Sequence, residues 1–147
     1  MKALLGTGGV SIGLAGSVLG ALSIALGLAR RDARLQRAGI RWAWVVLAGA
    51  VVATLAMEWA LLTHDFSLEY VARNHSRSTP FVYTVASLWG ALEGSIILWC
   101  LVLAGYTAAV VHRFRRHHDD PLVAWAVLVL LAVSAFFFAL MIGPADP

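Results

Sequence analysis

Four apolar blocks, at residues 4–29, 42–62, 95–111 and 122–142, constrain what this chain can become. A helix needs roughly 20 apolar residues to cross the hydrocarbon core of a bilayer. Inside that core every backbone N–H and C=O must be satisfied within the protein, which admits helices or closed barrels. The blocks are continuously apolar and lack the alternation of a strand. They predict an all-α integral membrane protein with four transmembrane helices. Composition agrees, since 61% of residues are hydrophobic, only 13% are charged and the mean hydropathy is +0.81; a soluble domain carries about 25% charged residues. The chain reads as one transmembrane module over 1–147, with spans at about 4–29, 42–62, 93–111 and 122–142 and a connecting segment at 63–92. A cleaved leader has its positive charge before a short apolar core of about 7–15 residues. Here the first apolar run is longer and Arg30 and Arg31 follow it, so it is read as a retained helix.

Charge sets the expected orientation. Of ten arginines, five (Arg30, Arg31, Arg34, Arg37, Arg41) follow the first block and three (Arg113, Arg115, Arg116) follow the third. Arg73 and Arg77, between the second and third blocks, are diluted by Asp65 and Glu69. The positive-inside rule then puts both arginine clusters in the cytoplasm, and both termini and the 63–92 segment outside. Two short juxtamembrane clusters fit anionic lipid headgroups, and nucleic acid is not an expected partner. The single cysteine, Cys100, lies within the third block and behaves as a small hydrophobe.

Glycines suggest how the helices meet. Gly9 and Gly13, Gly16 and Gly20, and Gly49 with Ala53 are each four apart, a spacing that lets helix backbones approach closely. In the 63–92 segment, Ser78 or Thr79 suits a cap and Pro80 a first helical position. Phe81, Val85, Leu88, Trp89 and Leu92 then form one apolar stripe. A short amphipathic helix on the membrane surface is expected before the third span, anchored by Phe81, Tyr83 and Trp89. Gly90 and Gly94 would permit its turn into the bilayer. Glu93 and Ser95 fall where a carboxylate meets the positive end of a helix and a hydroxyl caps a free N–H. Trp89 and Trp99 suit interface anchors.

The run Tyr70-Val71-Ala72, then Pro80 and Tyr83, then Trp89-Gly90, Glu93-Gly94-Ser95 and Leu98-Trp99 resembles the N-terminal part of the CcmF family. CcmF is the haem lyase subunit of bacterial cytochrome c maturation. The spacing matches without gaps. Leu92 departs from the family's frequent histidine, and Thr79 from its usual leucine. Family members are several times longer, and neither their tryptophan-rich external haem segment nor their haem-ligating histidines match residues here.

The resemblance implies an N-terminal membrane module, or a split subunit, of a CcmF-like haem lyase in the bacterial inner membrane. Haem, of b type, would be held mainly by parts absent from these residues, and no catalytic residue is assigned. Implied partners are the rest of the CcmF polypeptide or a companion subunit, CcmE-, CcmH- and CcmI-like proteins, and apocytochrome c. Arg73 and Arg77 have the chemistry to pair with haem propionates, with Trp89 beside the haem edge; contact with lipid headgroups is the alternative. His64 and His75 fall outside and match no family ligand, while His112, His117 and His118 sit with the cytoplasmic arginines. Glu58, inside the second span near its outer end, either faces the bundle interior or reaches the interface, where Glu93 could approach it. The rival readings are a haem-independent scaffold or assembly factor, and a small transporter or quinone-facing subunit using Glu58.

Overall fold

A computed structural model describes residues 2–63 and 92–142, and the side chains of 4–63 and 94–142. The expected surface helix lies outside the described residues. Four helices follow in order: α1 (Lys2–Arg30), α2 (Ala33–Leu62), α3 (Leu92–Arg113) and α4 (Pro121–Ile142). All four are long and apolar enough to cross a membrane, and this is a multi-pass membrane protein. α1 packs against α2 and α4, and α3 packs against the same two helices. The result is a square bundle with α1 and α3 on one diagonal.

α2 begins well before the second apolar block. The expected loop of arginines shrinks to Arg31 and Asp32, and Arg34, Arg37 and Arg41 are helical. Asp32 explains this, because its Oδ1 accepts from the Arg34 N–H at 2.8 Å and the Leu35 N–H at 3.4 Å, a cap that stabilises a helix start. Arginine and glutamine are good helix formers, so nothing after Asp32 delays the helix. α1 ends with the Asp32 N–H donating to the Gly27 carbonyl at 2.8 Å and the Arg31 N–H to that of Leu28 at 3.3 Å. That is a Schellman ending, with Arg31 in the left-handed region at φ 54°, where glycine is the usual occupant. A Cβ on Gly27 would lie 2.7 Å from the Gln36 nitrogen; its absence lets the turn close.

Lipid offers no hydrophobic force between helices, so close packing must hold them. The paired glycines supply it. A Cβ on Gly9 would lie 2.7 Å from the Ala53 nitrogen, and one on Gly49 would lie 2.7 Å from both the Gly13 nitrogen and the Gly9 carbonyl. On its other side, Gly13 is covered by the ring of Phe138 from α4. Buried hydroxyls return to their own helices: Ser17 donates to Gly13 at 2.7 Å, Thr107 to Leu103 at 2.7 Å and Ser134 to Leu130 at 2.8 Å. No hydroxyl among these is left bare in the apolar interior.

The α3–α4 connection gathers the other arginines. Asp120 caps α4 by accepting from the Leu122 N–H at 2.9 Å, and Pro121 takes the first helical position. A His118 ring nitrogen lies 3.0 Å from the Val111 carbonyl. Arg37 of α2 meets Asp119 at 3.5 Å, so both arginine clusters occupy one end of the bundle. The end of α2 and the start of α3 share the opposite end.

Candidate functional site

The described part of the motif, from Glu93 to Trp99, begins α3 at the end away from the arginines. Residue by residue, the structure gives part of it. Tyr70, Arg73, Arg77, Pro80, Tyr83, Trp89 and Gly90 lie outside the described residues, as do His64 and His75. Glu93 falls in the first turn of α3, the position where negative charge suits a helix. One residue on, Gly94 is buried and Ser95 half-buried.

Trp99 points out of the bundle and is 60% exposed, while the next residue, Cys100, is buried. Its thiol donates to the Met141 sulfur at 3.6 Å, a contact internal to α3 and α4. Trp99 therefore presents its indole away from the core, as an anchor or a contact would.

On α2, Glu58 is half-buried and Trp59 is 46% exposed. The helix stops one turn later, where the Thr63 hydroxyl donates to the Trp59 carbonyl at 2.7 Å. Glu58 thus sits partly within the packed interior and about one turn, roughly 5 Å, from the helix end. Because α2 and α3 run in opposite directions side by side, Glu58 and the backbone of Glu93 share this end. That shared end is the candidate site.

Its chemistry is limited. Among the described residues no group of three or more histidine, cysteine, aspartate or glutamate side chains is placed to hold a metal ion. The described histidines (His112, His117 and His118) lie at the opposite, arginine-rich end. Imidazole is a common axial ligand of haem, and the described residues at this end include no histidine. The side chains described here that meet its surface include Glu58, Trp59, Thr63 and Trp99. They fit a polar, tryptophan-flanked rim on a rigid bundle. Sequence reasoning singled out Glu58, Glu93 and Trp99 as candidates; it did not find Phe138 seated on Gly13, since a phenylalanine in an apolar run carries no sign of its partner.

Comparison with known proteins places this geometry. No family model matches the chain. It is 35% identical over 121 residues to the cytochrome c-type biogenesis protein CcmF of Escherichia coli K12, covering 82% of this chain and 18% of that protein. It is 36% identical over 105 residues to CcmF of Pseudomonas aeruginosa, covering 71% of this chain and 16% of the relative. A solved structure of a cytochrome c haem lyase CcmF superposes with a TM-score of 0.89 at 40% identity, over 100% of this chain and 24% of that one. The chain thus spans under a quarter of the length of each of these proteins.

Proposed function

Starting from the premise that the chain is a CcmF-type sequence, we propose that it serves cytochrome c maturation as the N-terminal four-helix module, or a split subunit, of a haem lyase. The observation that carries this reading is the likeness, over the whole of this chain and 24% of the other, to a solved CcmF haem lyase at 40% identity, together with the Trp89-Gly90 and Glu93-Gly94-Ser95 motif in the sequence.

In this reading the bundle is a support. Covalent attachment joins haem vinyl groups to cysteine thiols of an apocytochrome, and the protein contributes position and electrostatics. The b-type haem is held mainly by parts outside these residues. α2 and α3 set the rim from which the 63–92 segment departs, with the arginine-rich end in the cytoplasm of a bacterial inner membrane and the termini outside. Arg73, Arg77 and Trp89 would then face the haem edge. Glu93 would bond a neighbouring element of the haem platform or a companion subunit, among which CcmE-, CcmH- and CcmI-like proteins are expected.

Substitutions test the assignment. Trp89→Leu and Glu93→Gln are expected to lower covalently haem-bearing cytochrome c severalfold at unchanged membrane levels of the protein. Glu58→Gln is expected to lower it less. Intact holocytochrome in both of the first two variants sinks the role given to the motif. A loss confined to Glu58→Gln points instead to a proton-handling or transport function.

A further inference from the structure

A cleft of about 770 Å³ opens at the arginine-rich end, between the end of α1 and the starts of α2 and α4. Nothing in the proposed maturation role uses it. One wall is apolar, with Leu28, Leu128 and Trp125; the polar lining is Arg31, Gln36 and Asp119. Its volume lies within the range of small-molecule sites, about 300–1,000 Å³. Trp125 is one turn into α4 and 56% exposed, the depth at which an indole marks the membrane interface. The cleft therefore lies where headgroups give way to acyl chains.

Its polar groups are arranged by charge. Arg31 supplies the cation from a left-handed backbone at φ 54°, an arginine where the turn alone favours glycine. Gln36 is only 5% exposed. Its Nε2 donates to the Gly27 carbonyl at 3.4 Å, which fixes the amide's orientation, and its Oε1 is buried with no hydrogen-bond partner. Buried acceptors are normally satisfied, so this one asks for a donor. Asp119 adds a second acceptor, since its contact with Arg37 is long at 3.5 Å and its side chain remains 62% exposed.

We infer that this cleft binds a phosphatidylethanolamine molecule. The lipid phosphate pairs with Arg31, and the primary ammonium donates to Asp119 and to Gln36 Oε1. The upper acyl chain lies along Leu28, Leu128 and Trp125. Phosphatidylcholine carries the same charges and has no N–H to donate. Phosphatidylglycerol brings its hydroxyls with a net negative charge beside Asp119. The inference is independent of the haem lyase reading.

The test uses the full-length protein that carries this sequence, stripped of lipid in detergent and titrated with each of the three phospholipids under native mass spectrometry. One phosphatidylethanolamine is expected to bind about tenfold tighter than phosphatidylcholine or phosphatidylglycerol, the worth of a charge-assisted hydrogen bond. Asp119→Asn should erase the preference for ethanolamine over choline, and Arg31→Gln should weaken all three lipids. Both residues are exposed, and unchanged circular dichroism confirms the fold. Equal binding of ethanolamine and choline lipids overturns the inference. So does wild-type affinity in both variants.

Discussion

Gly49 on α2 and Gly105 on α3 are the same residue in opposite surroundings. A Cβ on Gly49 would strike the backbone of α1 at 2.7 Å, whereas one on Gly105 would meet nothing within 4 Å. Around Gly105 the outer face of α3 carries Trp99, Val102 and Tyr106, which are 60%, 54% and 61% exposed. The α1–α2 hairpin is closed on itself, backbone to backbone, through a two-residue turn. The α3 face is finished by whatever lies outside it. Glycine in a membrane helix therefore reports a contact only where its partner helix can be identified.

Three substitutions sharpen that contrast, and the largest effect belongs to the seam. Gly49→Leu should push α1 and α2 apart and cost about 3 kcal/mol or more, as overpacking of tight interfaces does. The check is thermal unfolding in detergent together with the amount of protein in the membrane. A stable Gly49→Leu protein would mean the seam is not what holds the hairpin. Asp32→Ala removes the cap of α2 and should cost about 1 kcal/mol, seen as a modest fall in melting temperature. Gly105→Ala should change stability by less than about 1 kcal/mol, in the favourable direction by helix propensity. If Gly105→Ala leaves the melting temperature intact while lowering holocytochrome, the open face is a working contact. Full activity leaves it facing lipid.

Much of this fold was readable in the sequence, for identifiable reasons. Span length and continuous apolarity answer to the thickness of the bilayer, so all four helices announce themselves. Gly9, Gly13 and Gly49 could be read as a close-packing face because their spacing repeats the helical turn. The start of α2 was not readable from hydropathy, because a capped helix can project from the membrane on arginines whose charge hides it. Asp32, the one acidic residue among those arginines, was the available sign. The cleft was less legible still. Arg31 and Gln36 lie at the α1–α2 turn and the start of α2, Asp119 and Trp125 before and within the start of α4, and only the bundle brings them together. At the opposite end, the motif around Trp89 and Glu93 was legible as a pattern before any geometry, while Glu58 gained a half-buried setting one turn from the helix end only from the fold.

The central claim is a role in cytochrome c maturation, and covalent haem reports it directly. Membrane and periplasmic proteins from a strain lacking this gene would be denatured, separated and stained for haem. The account predicts that every c-type band disappears and that the gene, or the longer gene that contains it, restores them. Unchanged bands in the deletion strain would contradict it.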